Sequence, residues 1–198
     1  EIRFRGNYRN TIRFPDANVT PEVQAAFAEF YELVADTNEG YWDTIGTVPT
    51  VAATAFAALP SDAWRVRKIS RLEGTEYVPM DQIGIDDIDS FSTSTNGRPT
   101  AFRLTARGID LYLTPDAVYT LLIVYTPVAP TLGAAREFYN GWEEYVKWGT
   151  LVRLRLNEQR DAGEFQQQLD IQRARITRGA SQRKAQEPEY IPLRECGW

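Results

Sequence analysis

Histidine is absent from the 198 residues, and cysteine occurs once, as Cys196. The first absence removes the Ser-His-Asp and Cys-His catalytic arrangements and every histidine-bearing zinc site. A single cysteine excludes an intramolecular disulfide and leaves almost no route to a thiolate metal centre. Cys196 itself reads as incidental rather than catalytic. No glycine-rich phosphate loop occurs: Gly40, Gly46, Gly74, Gly84, Gly97 and Gly108 are scattered and turn-like. The longest strongly apolar run, residues 120–128, falls far short of the roughly 20 residues that cross a bilayer. No secretory signal pattern opens the chain. It does open on Glu1 and not methionine, so residue 1 need not be the true start. These absences predict a soluble protein that needs no oxidising compartment, with no catalytic residues, no metal and no cofactor. Lysine is scarce too. Only Lys68, Lys147 and Lys184 are lysine among 22 basic residues, and the rest are arginine.

What is present is an ordinary globular balance, with 43% apolar, 25% charged and 12% aromatic residues. A chain this long buries about 70% of its unfolded surface and needs no staple. Its length predicts one domain, or one domain with an elaboration. The net charge of −5 argues against wholesale electrostatic binding to DNA or to an anionic membrane. Arginine is the residue of shared, partly desolvated ion pairs, so its abundance points to protein interfaces. Codon bias in a GC-rich genome is the bland alternative.

Residues 1–19 form a polar lead. Thr20-Pro21-Glu22 carries a helix start: a hydroxyl cap, proline at the first helical position and an acid in the first turn. Val23, Ala26, Phe27, Phe30, Leu33 and Val34 follow at helical spacing, predicting a helix over 20–36. From residue 46 the pattern changes to short strands and turns. Trp64 and Val66 oppose Arg65 and Arg67, then the parity slips at Ile69, which predicts a bulge near Arg67-Lys68. Residues 81–96 read as an acidic loop, with room for a short helix over 80–88. Phe102 and Leu104 oppose Arg103 and Thr105, and Ile109, Leu111 and Leu113 oppose Asp110 and Tyr112. Residues 118–125 are apolar on both faces and predict a central strand. The whole block predicts an antiparallel sheet or small sandwich.

Asn140-Gly141-Trp142-Glu143 fits a capping box opening a long helix. Trp142, Tyr145, Val146, Gly149, Val152 and Leu156 make one stripe, and Trp148, Leu151 and Leu154 a second. A break at residues 161–163 precedes a thinner stripe of Phe165, Leu169, Gln172 and Ile176, flanked by Arg173, Arg175 and Arg178. An exposed helix face or a subunit salt bridge fits those arginines better than a phosphate site. After Gly179 the pattern stops, and Tyr190, Ile191, Leu193 and Trp198 anchor an unpatterned tail. Such a tail gains most by docking on another chain.

Two acidic groups invite chemistry and do not support it. Asp86, Asp87 and Asp89 lack the ligand order and the turn glycine of a calcium loop. Glu39 and Asp43 near Trp42 have no spacing that marks a glycosidase pair.

The order of segments carries a resemblance. Leu59-Pro60-Ser61-Asp62-Ala63-Trp64-Arg65-Val66 is followed by Gly97-Arg98-Pro99-Thr100-Ala101-Phe102-Arg103-Leu104 and Leu111-Tyr112-Leu113-Thr114-Pro115-Asp116. Tyr139-Asn140-Gly141-Trp142-Glu143-Glu144-Tyr145-Val146 then opens the long helix. Across residues 20–178 this resembles the head-to-tail adaptor, or connector, proteins of tailed bacteriophages. The resemblance implies a ring, usually of twelve copies, beneath the portal. A helical bundle carries the ring, a β-rich insertion projects from it, and the C-terminal segment reaches into the portal. DNA passes through the ring without being read.

The resulting expectation is an α+β protein. It combines a helical bundle, built from an N-terminal helix and long C-terminal helices, with an inserted antiparallel β module and an extended C-terminal tail. The predicted divisions are 1–19 (lead), 20–45 and 131–178 (bundle), 46–130 (β module) and 179–198 (docking arm). Phe27, Phe30, Trp142, Tyr145 and Val146 are the expected bundle core. Arg173, Arg175 and Arg178 are candidates for subunit contacts, and Arg183, Lys184, Tyr190, Ile191, Leu193 and Trp198 for portal binding. The expected partners are copies of the same chain, the portal protein, the next tail or neck component and the DNA in transit, with no membrane. The competing expectations are a β-rich ligand- or carbohydrate-binding accessory protein of the virion and, less favoured, a carboxylate-dependent hydrolase.

Overall fold

A computed structural model describes residues 15–86, 95–131 and 142–184, and it is a mixed α+β structure. The chain splits into two compact units, passing into the second at Tyr41/Trp42 and out of it at Val128/Ala129.

The first unit is helical. Its helix α1 spans Asp16–Thr37 and begins four residues before the predicted start at Thr20. Pro15 is the cap, extended at φ −63° and ψ 155°. Its carbonyl accepts the backbone N–H groups of Asn18 (3.0 Å) and Val19 (3.3 Å). Pro21 therefore sits inside the helix and not at its first position. Packing explains the extra turn: Val19 is buried with Leu151 and Leu154, contacts that no local start signal encodes. Helix α2 spans Glu143–Asn157. The predicted capping box does not form in the expected register. The cap is Trp142, in a helical conformation and without a side-chain cap, and Glu143 is the first helical residue rather than the third. Asn140 lies outside the described residues. Glu143 and Glu144 still face the positive end of the helix dipole.

Both predicted stripes of α2 are covered, except at the end of the first, where Leu156 is 61% exposed. Gly149 marks a close approach to α1: a Cβ there would lie 3.2 Å from the Ala26 Cβ. Asp161 accepts the Gly163 N–H at 2.9 Å, and helix α3 then spans Gly163–Lys184. Here too the sequence expectation is corrected. The helix does not stop at residue 178, because Ile176 and Ala180 are wholly buried and Asn38 donates to the Ala180 carbonyl (3.3 Å). Tertiary contact holds the turn that composition alone leaves unpatterned.

The second unit is β. One sheet has the order β1-β10-β3-β4, from Thr44–Pro49, Thr120–Pro127, Ala63–Glu73 and Glu76–Pro79, and is antiparallel throughout. The other has the order β2-β8-β7-β5, from Phe56–Ala57, Gly108–Tyr112, Ala101–Thr105 and Asp81–Gln82. A short pair joins β6 (Asn96–Gly97) to β9 (Thr114–Pro115). The β5–β7 and β6–β9 pairings are parallel, so the unit is not purely antiparallel as expected.

Strand β10 is an inner strand, as its apolar run predicts. The parity slip in β3 is a bulge: Lys68 faces Val124 and Val66 faces Tyr125, leaving Arg67 unmatched. The helix allowed for over 80–88 does not begin at residue 80: Asp81–Gln82 is strand, and only Ile85 and Asp86, the last described residues of the segment, take a 3-10 turn. There Asp81 N–H donates to Thr100 (3.1 Å) and Ile83 N–H to Phe102 (2.8 Å), while Met80 and Ile83 bury their side chains. Side chains of both sheets meet in one core that includes Ile69, Phe102, Ile109, Leu111, Leu121 and Ile123. Tyr112, predicted on the opposite face from Ile109, is also buried, in a second cluster with Ile83 and Ala101.

Candidate interaction surfaces

The helical unit is organised around aromatic rings. The Phe30 ring lies 6.1 Å from Trp142, edge-on, and 6.0 Å from Tyr145, while Tyr41 closes on Trp142 at 5.7 Å. Phe27, Phe30, Trp142, Tyr145 and Val146 are all at most 6% exposed. This rigid interior presents a groove of about 610 Å³ between the three helices. Leu33, Val152, Leu156 and Leu169 line it as apolar residues, and Glu29, Glu32 and Asp36 supply carboxylates from α1. Arg153 and Arg173 also line it. Arg153 pairs with Glu29 and reaches Glu22 at 3.8 Å, and Asn157 donates to Glu22 at 2.7 Å, so α1 and α2 are bound by polar contacts along one side.

Burial raises the Tyr145 phenol above its ordinary range, and Glu29 adds to the rise while Arg173 and Arg153 oppose it. A raised value means that the folded chain holds the proton more tightly. The stability this contributes is complete below the unfolded tyrosine value, about pH 10, and is lost as pH climbs through the folded value. Tyr125, raised first by burial and then by its hydrogen bond to Asp62, and Tyr119, raised first by its hydrogen bond to Asp116, act in the same sense. Unfolding is therefore expected to set in above about pH 10, with part of the tyrosinate absorbance appearing only as the circular dichroism collapses. Complete ionisation at the ordinary value with the fold intact would contradict it.

The β unit carries a charged network. Arg71, only 4% exposed, pairs with Glu73, and Arg98 pairs with the same carboxylate at 3.3 Å. The hydrogen bond from Arg71, more than any other influence, holds the Glu73 carboxyl below its usual range. Tyr119 donates to Asp116 at 2.5 Å. A buried arginine is costly unless it is paired, and Glu73 offsets that cost only in part, because Arg71 Nε and Nη1 are buried with no hydrogen-bond partner. Sequence pattern did not single out Arg71. The parity of β3 could have done so, since two residues earlier Ile69 points into the core.

The remaining sequence candidates separate as follows. Arg173, Arg175 and Arg178 are exposed on α3, and only Arg173 lines the groove. Arg183 and Lys184 belong to the last turn of α3 and not to an extended tail. Tyr190, Ile191, Leu193 and Trp198 lie outside the described residues. Asp43, considered as one of a carboxylate pair, accepts the Thr126 hydroxyl (2.7 Å) and lies 3.8 Å from Arg67 Nε, a structural role. Asp86 is exposed, and Asp87 and Asp89 lie outside the described residues. Among the described residues, no cluster of acids, cysteine or histidine is arranged to hold a metal ion, and no helix is long and apolar enough to cross a membrane.

Comparison with curated proteins gives no match. The SU10 adaptor protein family, in contrast, matches residues 3–190, in keeping with the resemblance to phage head-to-tail adaptors. That match covers both units, and the chain belongs to the SU10 adaptor protein family, a family of structural phage adaptors.

Proposed function

We propose that this chain is a virion component that assembles in the host cytoplasm as a ring of twelve copies beneath the portal. The ring joins the capsid to the next tail or neck component and forms part of the DNA channel. The helical unit is the bundle that carries the ring, and the β unit is its projecting insertion. Arg173, Arg175 and Arg178 serve subunit contacts. The extended C-terminal arm docks on the portal through Tyr190, Ile191, Leu193 and Trp198, with Arg183 and Lys184 at its root. The net charge of −5 suits a channel in which DNA slides, since neutralising phosphates would hold it. No bond is made or broken.

The family match over residues 3–190 carries this reading. The test is to mix purified full-length chain with portal rings and image the particles by negative-stain electron microscopy. Stacked double rings are the expected result. A chain ending at Lys184 should keep its circular dichroism and lose attachment. The cut belongs after Lys184, because one at Gly179 removes the buried Ala180 from α3. Full-length chain that ignores portal rings would overturn the adaptor reading. Attachment at full strength without the arm would overturn the docking role.

A further inference from the structure

The helices of the first unit carry opposite charge. Helix α1 holds Asp16, Glu22, Glu29, Glu32 and Asp36 and no lysine or arginine. Helix α3 is basic beyond Asp170, where Arg173, Arg175, Arg178, Arg183 and Lys184 follow with no further acid. Within one chain the two sets meet only in part. Arg173 lines the groove that also holds Glu29, Glu32 and Asp36. Arg175 and Arg178 do not line it, because α3 buries Ile176 and Ala180 and helical periodicity turns these two arginines away. Both are exposed, and neither makes an ion pair with another described residue.

Ile171 stands four residues before Arg175, on the same outward face, and is 53% exposed. The groove has its own uncovered apolar residue, Leu156, at 61% exposure. Two surfaces of one rigid unit are thus complementary in both respects. One holds the carboxylates of Glu29, Glu32 and Asp36 against Arg153 and Arg173, so it stays acidic on balance, and has an open leucine; the other is basic with an open isoleucine. The spacing also fits. Glu32 and Asp36 are about 6 Å apart along α1, and Arg175 and Arg178 about 4.5 Å apart along α3, at a helical rise of about 1.5 Å per residue.

We propose that the outward face of α3 (Ile171, Arg175, Arg178) docks into the acidic groove (Glu29, Glu32, Asp36, Leu156) of a second copy of this chain. This rests on the ring reading and names the contact that builds it. The two faces differ, so the contact is heterologous and leaves one free groove and one free α3 face at each end. Only closure into a ring uses both on every copy. Guanidinium groups favour such a site, since they pair carboxylates while partly desolvated and lie flat on apolar neighbours.

Two full-length charge-reversal variants test it, E32R/D36R and R175E/R178E, with self-association measured by analytical ultracentrifugation and on portal rings. Each alone is expected to associate about tenfold more weakly or worse, since like charges then face each other. Mixed in equal amounts, the two should assemble again, because each supplies the face that the other has lost. The chain carrying all four substitutions should also recover. Circular dichroism equal to the unaltered chain excludes misfolding as the cause. Single variants that associate like the unaltered chain, or a mixture that stays dissociated, would overturn the α3-to-groove contact and leave the ring standing. Unaltered chain that remains monomeric alone and on portal rings would overturn the ring and this contact together.

Discussion

Replacing Trp142 with alanine is expected to destabilise the helical unit by about 3–5 kcal/mol, the cost of deleting a large buried aromatic. Several contacts converge on this one side chain. Its indole meets Phe30 of α1 edge-on at 6.1 Å and Tyr41 at 5.7 Å, and a Cβ added at Gly179 of α3 would lie 3.8 Å from Trp142 Cζ2. It therefore ties all three helices together, and its backbone is also the cap of α2. A cavity at such a junction collapses poorly, because closing it means moving three elements at once. Trp142→Phe should cost much less, since it keeps a ring against Phe30. The measurement is the urea midpoint followed by circular dichroism. A midpoint unmoved by Trp142→Ala would show that the three helices do not depend on this contact.

Gly108→Ala is expected to be nearly as damaging in the β unit. Gly108 opens β8 opposite Thr105, at φ 150°. That backbone state costs an ordinary residue about 1–3 kcal/mol. A Cβ would also lie 2.7 Å from the Ala57 carbonyl oxygen and 2.9 Å from the Phe56 ring, so β2 would have to move. Overpacking of this kind adds about 1–3 kcal/mol. Gly74→Ala is the matched control. Gly74 has φ 61° but nothing within 4 Å of an added Cβ, so it reports strain alone. The difference between the two midpoints measures the clash together with the extra strain of φ 150° over φ 61°. Equal effects would mean that β2 yields without cost.

Much of this architecture was legible because it is local. The period of Phe27, Phe30 and Val34 writes α1, and the two stripes from Tyr145 to Leu154 write a helix covered on more than one side. The parity slip before Ile69 wrote the bulge at Arg67, since a one-residue shift moves side chains to the opposite face. Turn chemistry at Pro60, Gly74 and Gly108 separated the strands. Helix ends were less legible. Thr20-Pro21 looks like a start, yet Val19 gains enough by packing on Leu151 and Leu154 to extend α1 to Asp16. Ala180 carries no visible pattern, yet its burial carries α3 past Gly179.

The candidate surfaces divide in the same way. Composition already showed an arginine-rich, histidine-free chain, which raised the expectation of contacts between polypeptides. It could not show which arginines face outward, because that depends on the side of α3 that Ile176 and Ala180 bury. Nor could it show the acidic groove, where residues from 29 to 173 converge. Local spacing determined the elements, the bulge and the family resemblance. Only tertiary packing decided where helices stop, which charges share a groove and which stay exposed on α3. The physical reason is range. Periodicity and turn preferences act over a few residues, whereas burial and charge pairing join positions more than a hundred residues apart, as Glu29 and Arg153 are.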